Sequence, residues 1–154
     1  MKKVVVSALV ILAACFAFVG CIKNRPYVTT TNPSMTVDIG NYKFIASSVR
    51  TSTIDTQRLD TSTTLIITGY TSDRVSPDDQ IIISIANYKG LTGTFSIVQG
   101  QAGAMYIHSG TPAVGLGGIV SINSVSSTTI SGYFSFNTDD GIALTNGKFV
   151  ANKP

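Results

Sequence analysis

From residue 35 to residue 150, apolar and polar residues alternate one by one in short runs, each closed by Gly, Asn or Asp. Period-two alternation buries one face of a strand and solvates the other, whereas a helix needs an apolar repeat near 3.6 residues. No window beyond the apolar N-terminal run sustains the helical repeat, β-branched residues are abundant, and glutamate is missing altogether. The class is therefore all-β.

About nine strands are expected, at residues 35–38, 42–50, 63–70, 80–87, 93–98, 104–108, 117–123, 129–137 and 142–150. Gly40-Asn41 and Asp139-Asp140-Gly141 sit between strand patterns at hairpin distance, so the pairing is antiparallel. Within 129–137 the residues Ile130, Phe134 and Phe136 share one face, and Ser131, Tyr133 and Ser135 the other, as in a sheet with one buried side. Ile142 and Leu144 are even but Phe149 is odd, which predicts a β-bulge at Asn146-Gly147 with the glycine left-handed. The architecture expected is a single-domain antiparallel β-sandwich or flattened β-barrel, two arrangements that share these short alternating strands.

The N-terminus carries a different message. Met1-Lys2-Lys3 precedes an uncharged apolar run, residues 4–19, that ends at Gly20-Cys21. Those sixteen residues fall short of the roughly 20 needed to cross a ~30 Å hydrocarbon core, so the segment reads as a cleaved lipoprotein signal peptide, residues 1–20. Cys21 is the expected lipidated residue, and the chain turns polar directly after it. Leu12-Ala13-Ala14-Cys15 is a competing lipobox, which keeps Cys15 as the alternative.

Removing the signal changes what the composition means. The chain holds eleven basic and eight acidic residues, and the loss of Lys2 and Lys3 brings the mature charge to +1. Scattered positives give no footprint for nucleic acid. Cys15 leaves with the signal and Cys21 carries the lipid, so no disulfide forms within the mature chain. The organisation expected is a signal at 1–20, an extended Thr- and Pro-containing tether at 21–34, and one all-β domain at 35–154 held by its core alone.

A short module recurs as Gly93-Thr94-Phe95, Gly132-Tyr133-Phe134 and Gly147-Lys148-Phe149. Its irregular spacing argues against a solenoid, and equivalent strand positions in one sheet account for it. The stretch Ile130-Ser131-Gly132-Tyr133-Phe134 followed by Leu144-Thr145-Asn146-Gly147-Lys148-Phe149 resembles the C-terminal signature of a family of small Bacteroidota lipoproteins, a domain of unknown function. The resemblance covers roughly residues 35–150, implies the fold, and implies no chemistry. In that phylum acidic residues after the lipidated cysteine accompany surface export. Ile22-Lys23-Asn24-Arg25 has none, which points to the periplasmic face of the outer membrane.

Catalytic chemistry finds little support. His108 is the sole histidine, no G-x-S-x-G elbow is present, and the reading for His108 is a polar residue at a strand end. The pairs Asp78-Asp79 and Asp139-Asp140 fall where turns are expected, and Asn137, Asp139 and Asp140 lack the spacing of an EF-hand. No catalytic residue, metal or other cofactor is assigned. Tyr133 and Tyr106 are the candidate ligand-binding residues among Tyr70, Tyr88, Tyr106 and Tyr133, with the Gly-rich segment 100–118 as a mobile rim. The function expected is non-catalytic: a lipid-anchored envelope protein with a binding or structural role toward an envelope protein. The alternative is a glycan or small-ligand binder, with a hydrolase behind both.

Overall fold

The computed structural model describes residues 32–56, 62–71 and 79–154. The expected signal peptide, Cys15, Cys21, most of the tether and Asp78 lie outside the described residues. Among the described residues ten strands form: β1 Ser34–Ile39, β2 Tyr42–Ile45, β3 Ser48–Thr56, β4 Ser62–Tyr70, β5 Asp79–Ile85, β6 Gly93–Ser96, β7 Ala102–His108, β8 Thr111–Val125, β9 Thr129–Thr138 and β10 Ala143–Asn152. They join in one antiparallel sheet of order β2-β1-β10-β9-β8-β7-β5-β4-β3, with β6 pairing β8 off that path.

Alternation sets the buried face, as β5 illustrates. Ile81, Ile83 and Ile85 are fully buried while Gln80, Ile82 and Ser84 on the other face are partly exposed. The same rule sends Met35 and Val37 of β1, Leu65 and Ile67 of β4, and Ile130, Phe134 and Phe136 of β9 into a single core. Full burial of each such side chain contributes about 1.5–3 kcal/mol, the main force holding a domain that has no staples.

The sheet curls because its two outermost strands are consecutive in the chain. Only Ala46 and Ser47 separate β2 from β3. The Ala46 N–H donates to the Met35 carbonyl at 2.9 Å and the Ser47 N–H to the Tyr70 carbonyl at 2.8 Å, so the link is bonded to β1 on one side and β4 on the other. The Thr51 hydroxyl then donates to the Asn152 carbonyl at 2.6 Å, bringing β3 beside the end of β10. The result is a half-barrel whose last strand returns next to its first. The chain enters this domain at Ser34, directly opposite Val150, and the Lys153 N–H donates to the Thr128 carbonyl at 2.8 Å.

Strand β8 turns the corner between the two halves. Its first residues, Thr111 to Val114, pair with β7, and residues Ile119 to Ile122 offer the same edge to β6. The other edge pairs with β9 from Gly115 onward, with a register shift between Gly115 and Gly117. That shift exchanges the faces: odd-numbered Ala113 is buried before it and even-numbered Val120 after it. Gly118 takes φ +137°, and a Cβ there would lie 2.1 Å from the Ser135 carbonyl oxygen, so only glycine fits the bend.

The structure departs from the sequence reading at several points. The strand expected at 42–50 is two, because the chain crosses from one half of the sheet to the other at Ala46-Ser47. The strand expected to reach residue 87 ends at Ile85, and Asn87 takes φ 53°. The segment 100–118, expected as a mobile rim, is mostly the β7–β8 hairpin. Its turn is Ser109-Gly110, both at positive φ, which matches the twist of the flanking strands. The bulge expected in β10 is present between Leu144 and Gly147, but Asn146, at φ 54°, takes the left-handed conformation instead of the glycine.

Candidate ligand groove

The β10 bulge shapes the outer face of the sheet. One extra residue places both Thr145 and Asn146 on the solvent side, where regular alternation would allow one. Beside them lies a shallow groove of about 550 Å³, lined by Ile119 and Ser121 of β8, Tyr133 and Ser135 of β9, and Asn146 and Lys148 of β10. All three strands are paired on both edges in this region, so the groove offers side chains and no free backbone ladder.

Tyr133 stands at its centre. It alternates opposite the buried Phe134, is half exposed, and lies directly across from Lys148 on β10 and Ser121 on β8. The Lys148 ammonium sits 5.9 Å from the centre of the Tyr133 ring, within the range where a cation is attracted to an aromatic face. Ile119, diagonal to Tyr133 and 48% exposed, supplies the apolar wall. The Ser121 hydroxyl shares a 3.1 Å hydrogen bond with Thr94 of β6. Asp38 does not line the groove: its carboxylate accepts a 3.1 Å hydrogen bond from the Asn146 amide and pairs with Lys43 at 3.8 Å. Among the described residues Lys148 has no carboxylate within ion-pair distance.

Tyr106, the second candidate, is elsewhere and of another kind. It is 4% exposed and points inward from β7, so it offers no stacking face to a ligand. The expectation of an exposed tyrosine fails there because β7 is an interior strand on which Ala102, Ala104 and Tyr106, all even-numbered, share the buried face. The Tyr106 hydroxyl donates to Asp79 Oδ2 over a long 3.5 Å and lies 3.3 Å from His108 Nδ1. Burial first, and the neighbouring Asp79 charge second, push its pKa up to about 12.

Asp79 and His108 meet across the β5–β7 ladder. They are direct register partners, and the His108 Nδ1–H donates to Asp79 Oδ1 at 2.6 Å. Asp79 is buried at the first position of β5, not in a turn as expected, while the His108 side chain is largely exposed. In the neutral ring this leaves Nε2 carrying a lone pair toward solvent, the posture of an oriented general base. Among the described residues no hydroxyl or thiol is hydrogen-bonded to Nε2.

The other acidic pair is committed to its turn. Asp139 Oδ1 accepts the Val114 N–H at 2.9 Å, and Asp140 Oδ1 accepts the Thr138 hydroxyl and the Ile142 N–H. The Asp140 bonds cap the β9–β10 hairpin and the Asp139 bond ties it to β8, so turn and strand contacts account for both side chains. Of the remaining tyrosines, Tyr70 carries Arg50 over its ring at 5.4 Å, and Tyr88 is partly buried with its hydroxyl inside the protein. Sequence reasoning missed Lys148, Asn146 and Ile119. Alternation with the expected bulge puts Lys148 on the outer face, but its place directly across from Tyr133 is set by the shifted β9–β10 register.

No protein-family model matches the chain, and neither a curated protein nor a solved structure matches it.

Proposed function

We propose that this chain is a lipid-anchored cell-envelope protein whose β-domain binds a partner without catalysis, through the outer face of β8, β9 and β10. The observation that carries the reading is Tyr133, half exposed at the centre of a groove that surrounds one aromatic ring with hydroxyl, amide and ammonium groups. The basic start, uncharged run and Cys21 support the anchor, and Lys23 and Arg25 without acidic neighbours support the periplasmic face of the outer membrane. The Gly-x-Phe signature supports membership in the Bacteroidota lipoprotein family it resembles.

Two measurements test this. Palmitate incorporation is expected to disappear in Cys21→Ser, and its retention would move the anchor to Cys15. For binding, the full chain in mild detergent is screened by thermal shift against envelope glycans, peptides and small molecules. At least one is expected to raise the Tm of the wild type and not that of Tyr133→Ala. Equal shifts in both proteins, or none in either, would remove the groove as the binding site.

A second reading rests on the 2.6 Å Asp79–His108 pair, which is oriented as in hydrolases. It requires turnover of an ester or glycoside that is abolished by His108→Ala.

A further inference from the structure

Resting on the binding reading above, we propose that the groove takes an acidic saccharide, with Tyr133 stacking on a sugar ring and Lys148 pairing with the sugar's carboxylate or sulfate. Three observations converge on this chemistry. The first is the balance of the lining: one exposed aromatic ring, Tyr133, and one exposed aliphatic side chain, Ile119, are surrounded by Ser121, Ser135, Thr145 and Asn146, while Phe134 beneath them is buried in the core. A ligand that fits must be apolar on one face and dense in hydroxyls at its rim, which describes a pyranose ring.

The second is what the groove withholds. A peptide recognised in extended form adds to a sheet edge, but β8, β9 and β10 are hydrogen-bonded on both sides here. A helical peptide wants a continuous apolar trough, and the hydroxyls and amide of the lining interrupt one. The third is charge. Lys148 is the single charged residue of the lining and has no carboxylate partner among the described residues. Asp38, which is hydrogen-bonded to the lining residue Asn146, pairs with Lys43. An ammonium held beside the ring and left unpaired is complementary to an anion on the stacked sugar.

The cross-strand register extends the surface beyond one ring. Ile45, Thr36, Lys148, Tyr133, Ser121 and Thr94 are successive direct partners across β2, β1, β10, β9, β8 and β6. Strands about 4.8 Å apart space these side chains so that an oligosaccharide lying across the strands meets a polar group at nearly every step.

The test uses the full chain in mild detergent and titration calorimetry. The probes are oligogalacturonate, a glucuronate-containing oligosaccharide, a sialyl-oligosaccharide and a sulfated oligosaccharide, each beside its methyl-esterified or unsulfated counterpart. At least one acidic probe is expected to bind, to lose about tenfold or more in affinity when its charge is masked, and to lose a similar factor in Lys148→Gln. Affinity should also fall as salt rises, and Tyr133→Ala should abolish binding while leaving the Tm of the free protein near that of the wild type. If masked and acidic probes bind equally, or if no acidic probe binds while a neutral ligand does so in a Tyr133-dependent way, the acidic-saccharide proposal is overturned and the binding reading survives. If nothing binds in a Tyr133-dependent way, both fall.

Discussion

Gly132 on β9 lies directly opposite Phe149 on β10, and a Cβ on that glycine would stand 2.8 Å from the phenylalanine ring. Two residues along, the arrangement repeats with the strands exchanged: Gly147 on β10 faces Phe134 on β9, and its Cβ would be 2.6 Å from that ring. Each ring lies over the glycine of the other strand, and the two rings are 6.4 Å apart. The Gly-x-Phe modules of β9 and β10 are therefore a reciprocal packing device, in which the missing side chain of one strand is replaced by the aromatic face of its neighbour, an arrangement that Gly93-Thr94-Phe95 on β6 does not share.

Alanine at Gly132 or at Gly147 should destabilise the domain by about 1–3 kcal/mol or more through overpacking. The obstacle is partly backbone, since the Gly132 Cβ would also lie 2.0 Å from the Ser121 carbonyl oxygen. Trimming the ring with Phe149→Leu is accordingly expected not to rescue Gly132→Ala. Phe149→Ala, which empties the core above Gly132, should cost about 3–5 kcal/mol. Urea unfolding of these variants, of the Gly132→Ala/Phe149→Leu double variant and of the wild type checks all of this, and rescue by leucine would show that the ring alone forbids the side chain.

At Asn146 the backbone, not the side chain, sets the residue choice. Asn146→Ala should cost about 1–2 kcal/mol more than Asn146→Gly, because both lose the hydrogen bond to Asp38 and only alanine resists φ 54°. Equal losses in thermal unfolding would contradict that account.

The Asp79–His108 pair should behave as a coupled unit. His108→Ala leaves a buried carboxylate without its 2.6 Å donor and is expected to cost about 1–3 kcal/mol at neutral pH. In that background, Asp79→Asn should restore part of the loss, since a neutral amide tolerates the site better than an unpaired charge. A double-mutant cycle with no coupling energy would mean that the contact carries no stability.

Stability should also decline at alkaline pH. Tyr106 has a pKa of about 12 in the folded protein and an ordinary value near 10 when unfolded, so the unfolded chain loses the proton first. Its contribution is complete below pH 10 and is lost as the pH rises toward 12. Tyr88, also raised by burial, adds to the same slope. Unfolding midpoints of Tyr106→Phe should fall less steeply across this window than those of the wild type, and parallel slopes would rule the tyrosine out as the cause.

Alternation made the strands and their inner faces legible. Ile130, Phe134 and Phe136 could be placed inside and Tyr133 outside because a period of two leaves no other choice for a sheet with one buried side. The β10 bulge was legible from the parity break between Leu144 and Phe149. Its effect on the groove was not, because the bulge adds Asn146 to a face already set by neighbours from β8 and β9. Tyr106 misled for a related reason: its strand has buried residues at alternate positions, but small ones, Ala102 and Ala104, that carry little hydrophobic signal. The meeting of Asp79 with His108 needed β5 to lie beside β7, a pairing across twenty-nine positions of chain that no local pattern encodes.

The pairing of Ser34 with Val150 has a practical consequence for orientation. The first strand begins beside the end of the last strand in the chain, so a reporter appended after Pro154 emerges at the Ser34 end of that strand pair. The Gly40-Asn41 and Asp139–Gly141 turns lie at the opposite end of the same strands, and Gly141 is an exposed position with open space around it. An epitope placed in the β9–β10 turn and one placed after Pro154 would thus label the two ends of the β1–β10 strand pair from outside the core.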